Sequence, residues 1–365
     1  MSKLDDARIK INKIDEQMAK LFEERMKAST EVAEYKLEHG LPIFDSAREK
    51  EVINNNLKHI TDGTIKEYYV NFLNNTMNLS KQYQSRIISG IKVAYSGIEG
   101  AFAHIASMRM YPNATYKSYR DFSEAYKACE KGECDVCVLP LENSFAGEVG
   151  SVMDEVFSGS LYINRAIELE VVHNLLVKKG TKIEEIKRVI SHPQALSQCQ
   201  DYIKKHQFEE IEAVNTAIAA KLVSESSDND IAAIASSDTA SLYNLEILET
   251  RINTKNNNTT RFGAFSRVLN TTNSTKKMDE CSVLMFTVKN EAGALAKTLN
   301  IIGSYGFNMK SLRSRLMKEL IWNYYFLVEI EGSINSQDGK DMLRALQVFC
   351  DKLKVVGTYN INNEK

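Results

Sequence analysis

Apolar positions recur along residues 4–35 with alternating spacings of three and four. They run Leu4, Ala7, Ile11, Ile14, Met18, Leu21, then Arg25, Ala28, Val32 and Tyr35. On a helix with 3.6 residues per turn these positions form one stripe, so the pattern predicts a long amphipathic helix. "HGLP" at 39–42 should end it, because glycine suits the terminal turn and proline cannot continue the helix. "DSAREKEVINNNLKHI" then predicts a second helix capped at Asp45 or Ser46, and residues 65–87 a third. Three helices are a thin module to bury a core alone, and pairing with a second copy would solve that. Residues 1–88 therefore read as an all-α module.

Beyond about residue 90 the pattern changes to short apolar runs alternating with helical ones. Residues 91–97, 134–144, 171–179, 187–192, 211–216 and 231–236 are strand-like, with helical stretches between several of them. That rhythm predicts α/β layers with mostly parallel sheets, over 91–269, as one domain or two lobes with a cleft. The run "NNNTTRFGAF" (256–265) looks like a polar spacer, but Phe262, Ala264 and Val268 then alternate as in a strand. A linker by composition lies at 270–280, "NTTNSTKKMDE". Residues 281–361 follow in the order βαββαβ, the ferredoxin-like α+β arrangement.

Composition narrows the function classes. Lys plus Arg (46) nearly balance Asp plus Glu (48), which argues against nucleic acid as the main partner. No apolar run is long enough to span a bilayer, and the start has no signal-like core, so the expected compartment is the cytoplasm. Cys134 and Cys137 form a C-x-x-C inside an apolar strand pattern, with no second pair and no histidine at ligand spacing. They read as buried thiols.

Arg25 interrupts the apolar stripe of the first helix, where a guanidinium needs an anion. Lys36 lies 11 residues on, about three turns, hence on nearly the same face. Arg8 sits beside the stripe near the start, and Arg48 and Glu49 open the second helix. Two readings stay open on these residues alone. The cations snorkel to solvent or pair structurally with Glu24, Glu49 and Asp45, or they line a pocket for a small dianion, which arginine grips through two parallel hydrogen bonds. The run "ARIKINKIDEQMAKLFEERMKASTEVAEYK…DSAREKE" resembles an AroQ-type chorismate mutase domain over residues 4–86. That resemblance implies an intertwined helical dimer, with Arg8 of the partner chain and Arg25 binding carboxylates. Lys36 and Gln84 would contact the ether oxygen, and Asp45, Arg48, Glu49 and Ser80 would complete the pocket. The implied reaction, chorismate to prephenate, is a rearrangement that needs no nucleophile and no cofactor.

In 91–268 several polar stretches end strands. "YSGIEGAFAHIA" (95–106) places glycines before a helix, a weak anion-site signal. "PLENSFAGEVG" (140–150) carries Glu142, Asn143, Ser144 and Gly147, and "SHPQAL" (191–196) carries His192 and Gln194. Each alone reads as strand-end turn chemistry. Together with "TTRF" they resemble prephenate dehydratase over the entire middle module. The resemblance implies two lobes like those of periplasmic binding proteins, with the site in the cleft. Thr260 would be the catalytic threonine, followed by Arg261 and Phe262. Ala103 stands where the family often has a hydroxyl. The expected chemistry is loss of carbon dioxide and hydroxide from prephenate, giving phenylpyruvate without metal or nucleotide.

"EAGALAKTLNIIGSYGFNMKSLRSR" resembles an ACT domain, which implies amino-acid sensing with L-phenylalanine as effector. Gly293, Ala294 and Leu295 match the first effector motif. The second, usually Glu-Ser-Arg-Pro, reads Arg313, Ser314, Arg315, Leu316. The combined expectation is a bifunctional chorismate mutase/prephenate dehydratase, a homodimer or larger homo-oligomer in phenylalanine biosynthesis. The alternatives are arogenate as the middle module's substrate, or a non-catalytic ligand sensor.

Overall fold

A computed structural model describes residues 2–255, 257–270, 280–317 and 324–362. The chain divides into two compact units, Met1–Lys92 and Val93–Lys365.

The first unit is helical. Helix α1 (Lys3–Glu38) starts with a reciprocal cap, in which the Ser2 hydroxyl accepts from the Asp5 amide and the Asp5 carboxylate accepts from the Ser2 amide. Asp45 caps α2 (Ser46–Leu57) by accepting from the Arg48 amide at 3.0 Å. α3 (Lys66–Ser89) packs along α1. Of α1 only Ser29 and Ala33 are buried, while Leu4, Ile11, Ile14 and Leu21 are exposed. The stripe that predicts a core position is thus left uncovered by the chain's own helices, because α3 meets α1 only toward its C-terminal half, at Met26, Ser29 and Arg25.

The second unit begins with β1 (Lys92–Ser96), α4 (Phe102–Met110), β2 (Thr115–Tyr119), α5 (Phe122–Glu130), β3 (Val136–Asn143), β4 (Gly147–Glu148), α6 (Gly150–Ser158) and β5 (Tyr162–Glu170). The chain then builds a separate five-stranded sheet. Its strands are β6 (Asn174–Val177), β7 (Arg188–Ser191), β8 (Glu209–Glu212), β9 (Ile231–Ala235) and β10 (Glu246–Glu249). Helices α7 (Pro193–Gln198), α8 (Gln200–His206), α9 (Thr216–Glu225) and α10 (Ser237–Leu242) belong to it. β11 (Thr259–Ser266) returns to the first sheet and pairs antiparallel with both β3 and β5. Each sheet has its own apolar core, so this part is two lobes joined through the β5 and β11 ends.

The sheets are mixed, not mostly parallel. β1 and β3 pair parallel, as do β7 with β8 and β9, but β11 runs against both its neighbours and β6 against β9 and β10. The reason is the crossing between lobes: a chain that leaves along β5 and returns along β11 must lay these strands antiparallel. β11 buries Phe262 and Ala264, but it ends at Ser266, and Val268 is 75% exposed.

The C-terminal part runs β12 (Glu280–Thr287), α11 (Ala294–Ser304), β13 (Met309–Leu316), β14 (Tyr324–Glu331), α12 (Gln337–Phe349) and β15 (Lys352–Asn362). Its strands lie in the order β13-β14-β12-β15 and continue the first sheet, because β15 pairs parallel with β5. Most of the 270–280 linker lies outside the described residues. Cys134 and Cys137 are buried free thiols.

Candidate functional sites

The first unit holds a cavity of about 330 Å³ between its helices. Arg25, Lys36, Asp45, Arg48, Glu49, Ser80 and Gln84 all line it, with Ser29 and Lys81 as further polar neighbours. Helical spacing explains the gathering. Arg25, Ser29, Val32 and Lys36 share the α1 face that meets Met77, Ser80, Lys81 and Gln84 of α3.

The cations are unevenly satisfied. Arg48 pairs with Glu51 at 2.8 Å, and Glu49 with Lys81 at 2.6 Å. Arg25 donates only to the Ser80 hydroxyl, and Lys36 only to the Ile43 carbonyl at 2.7 Å, so neither has a carboxylate partner among the described residues. Of the two readings left open, the structural pairing of Arg25 and Lys36 with Glu24, Glu49 or Asp45 is not what the chain does. Gln84 is buried; its Nε2 donates to Ser29 Oγ at 3.0 Å, while its Oε1 has no partner. Two cations without a carboxylate partner therefore line one cavity, a combination that favours an anion. Arg8 does not reach it. It is exposed, and lies about 25 Å earlier along the helix by rise per residue.

In the second unit a cavity of about 280 Å³ lies between the lobes. From the sequence-predicted set it gathers Asn143, Gly147, His192, Gln194 and Thr260. Glu142, Ser144, Arg261 and Phe262 are not among its lining residues. Alternation along β11 gives the reason for Arg261: Thr260 faces the cleft, and Arg261 turns to the opposite side, pairing with Glu168 at 2.8 Å and Glu329 at 3.2 Å. Glu142 pairs with Arg313 at 2.5 Å. Ser144 Oγ donates to the Asn257 carbonyl and accepts from the Thr259 amide, tying the two cleft segments together. Phe262 is buried.

Sequence reasoning misses His173, Gln198, Asn215 and Asn258, all lining the cleft. Only Asn258 carries a signal, since it directly precedes "TTRF".

These residues form a hydrogen-bond chain whose direction follows from one end. Asn143 Oδ1 accepts from the Phe145 and Ala146 amides at 3.0 Å each, so its Nδ2 must face the other way. That nitrogen donates to Thr260 Oγ1 at 2.9 Å and to Asn258 Oδ1 at 2.8 Å. Asn258 Nδ2 then donates to Gln198 Oε1 at 2.8 Å. This oxygen also lies 2.9 Å from His173 Nε2, which must carry the ring proton. Two consequences follow. Thr260 receives a hydrogen bond and keeps its own proton free for the cleft. His173 Nδ1 carries a bare lone pair.

The β3–β4 turn that holds Asn143 is gripped from the C-terminal part. Arg313 pairs with Glu142, and Arg315 with Glu148 at 3.0 Å and Asp154 at 3.3 Å. Gly293 is the N-cap of α11, in a left-handed conformation that suits glycine, and Ala294 and Leu295 open the helix.

A helical pocket lined by cations without carboxylate partners and a separate two-lobed cleft with a hydrogen-bonded threonine hydroxyl define a multidomain enzyme with two centres. The chain belongs to the bifunctional chorismate mutase/prephenate dehydratase family. The chorismate mutase type II model matches residues 7–85, and the prephenate dehydratase model residues 93–269. A bifunctional chorismate mutase/prephenate dehydratase of Aquifex aeolicus is 30% identical over 371 residues, 98% of each chain. An arogenate dehydratase/prephenate dehydratase of Arabidopsis thaliana is 32% identical over 75% of this chain and 74% of its own. Among solved structures, prephenate dehydratase from Arthrobacter aurescens in complex with L-Phe matches at a TM-score of 0.69. It is 23% identical and covers 75% of this chain and 92% of that one, a likeness of fold. The chain is thus an isomerase and a lyase of phenylalanine biosynthesis. No helix among the described residues is long and apolar enough to cross a membrane.

Proposed function

We propose that the helical pocket rearranges chorismate to prephenate and that the cleft removes water and carbon dioxide from prephenate to give phenylpyruvate. For the first step, Arg25 holds a substrate carboxylate and Lys36 meets charge developing on the ether oxygen. A half-turn of the Gln84 amide lets Oε1 accept from the Ser29 hydroxyl and frees Nε2 as a second donor to that oxygen. Arg48, Asp45, Glu49 and Ser80 shape the pocket, and Arg8 arrives from a second copy, which would also cover the exposed α1 stripe.

The observation that carries the second step is the hydrogen bond from Asn143 to Thr260 Oγ1. A threonine hydroxyl is too weak an acid to lose its proton early. The Asn143 donor leaves that proton pointing into the cleft and supports charge on Oγ1 as the bond to the departing hydroxide strengthens. Incubation with chorismate should give prephenate and then phenylpyruvate, both followed by absorbance. Prephenate accumulating without phenylpyruvate would leave only the mutase reading. The second reading, dehydration of arogenate, draws on the Arabidopsis relative's name, and a comparison of kcat/KM for the two substrates separates them.

Residues 281–361 are read as a ferredoxin-like ACT domain that senses L-phenylalanine through Gly293, Ala294, Leu295, Ser314 and Arg315. Its route to the cleft is short: a shift of β13 pulls, through Arg313 and Arg315, on the carboxylates of Glu142 and Glu148 that bracket Asn143. Phenylalanine should lower dehydratase turnover and spare mutase turnover. A flat dehydratase response up to millimolar phenylalanine would overturn this regulation.

A further inference from the structure

His173, just before β6, is 2% exposed, yet it lines the cleft and its Nδ1 has no hydrogen-bond partner. The direction of the amide chain requires Nε2 to be the protonated nitrogen of the neutral ring, so Nδ1 is an acceptor with nothing to accept. Buried polar atoms are normally paired, which makes this one a mark of something the cleft receives.

What the cleft receives is a dianion, and the described residues lining it include no lysine or arginine. The charged group on the wall, Glu148, is already held by Arg315 and Arg313. His192 Nδ1 is taken up in accepting from the Gln194 amide at 3.2 Å. Close along the chain from His173, Glu170 and Arg251 compensate one another at 2.8 Å, while Phe102, Asn253 and Gln198 bring no charge to the ring. The start of α4 opens on the same space at Ala101 and Phe102, and no side chain caps it. Its free amides are neutral donors that suit a carboxylate but do not cancel its charge.

We propose that His173 is a carboxylate-binding residue of the dehydratase cleft and that its Nδ1 takes up one proton when the substrate binds. The proposal rests on the reading of the cleft as a prephenate site. The proton comes from water, and no covalent bond of the substrate is made or broken. The resulting imidazolium donates from both nitrogens, Nε2 to Gln198 and Nδ1 to the carboxylate, so the unpaired atom and the missing cation are answered together. In the free protein burial lowers the pKa of His173, with the Gln198 bond opposing, so the ring is neutral before the substrate arrives. The incoming carboxylate acts in the opposite direction.

The sign of the pH dependence follows. kcat/KM reports the free enzyme, and the fraction already carrying the proton falls as pH rises. Wild-type kcat/KM for prephenate should therefore drop by about 10- to 100-fold between pH 6 and 8, until binding by the neutral form takes over. H173Q keeps a donor for Gln198 but cannot become charged. It should show a flat profile and a KM raised about 10- to 100-fold at pH 6, with kcat changed much less. H192N, measured alongside, should keep the wild-type limb, and thermal unfolding of all three proteins checks that the variants fold. A flat wild-type profile would overturn the proposal, and so would a limb that survives in H173Q. Absence of prephenate turnover by the wild type at every pH would instead strike the underlying reading of the cleft.

Discussion

T260A should lose about 100- to 1,000-fold in dehydratase kcat, the cost of removing a donor aimed at a developing oxyanion. Mutase turnover on chorismate should stay at the wild-type level, because the helical pocket belongs to the other unit and shares no residue with the cleft. The hydroxyl is the only polar group removed, and Thr260 lies near the start of β11, whose backbone bonds to β3 and β5 do not involve its side chain. Thr260 is buried and its hydroxyl bonds to Asn143, so thermal unfolding of T260A, measured alongside, separates lost stability from lost chemistry. T260S separates hydroxyl from methyl: it keeps the donor and should retain most of the activity. T260V keeps the shape, loses the donor, and leaves Asn143 Nδ2 with only Asn258 Oδ1 and the Thr259 carbonyl as acceptors. If T260A turned over prephenate at the wild-type rate, neither the hydroxyl nor the hydrogen bond from Asn143 would have a part in the chemistry.

How much of this was legible in the chain depends on the range of the interactions. Periodicity places α1, α2 and α3, because a 3.6-residue repeat is a local signal. It also finds β1, β3, β7 and β9, whose apolar runs are buried on both faces. It passes over β5, where Arg165 and Glu168 interrupt the apolar pattern of "YINRAIELE", and β2, which is largely exposed. Missing β5 is what turns a mixed sheet into an expected parallel one. The side chains expected to share the helical pocket, Arg8 apart, do line one cavity, since their spacing on the helices determines which side chains meet. In the cleft the same logic fails at His173 and Gln198. They come from different elements, and only the fold brings Nε2 within 2.9 Å of Oε1. Arg261 shows the converse: adjacency to Thr260 suggests a shared task, but a strand sends neighbouring side chains to opposite faces.

Removing either uncompensated cation of the helical pocket should be the largest perturbation of the first step. K36A deletes the charge nearest the proposed ether oxygen and should lower mutase kcat by about 100- to 1,000-fold. R25A should lose a comparable factor in kcat/KM, with much of it in KM, since a carboxylate grip is made before the transition state. Neither variant should be less stable. Arg25 and Lys36 have no carboxylate partner whose desolvation they offset, and Arg25 loses only its bond to Ser80. Both variants should dehydrate added prephenate at the wild-type rate, so phenylpyruvate fails to form from chorismate and returns when prephenate is supplied. The same pocket tests the second copy. Arg8 sits 17 positions before Arg25 on one continuous helix, too far to serve its own chain's site. R8A and R25A chains are then each inactive alone. Co-expressed as equal partners they should recover about a quarter of wild-type turnover, since half the dimers are mixed and each of these holds one intact site of two. No recovery in verified mixed dimers would mean that Arg8 has no place in the pocket.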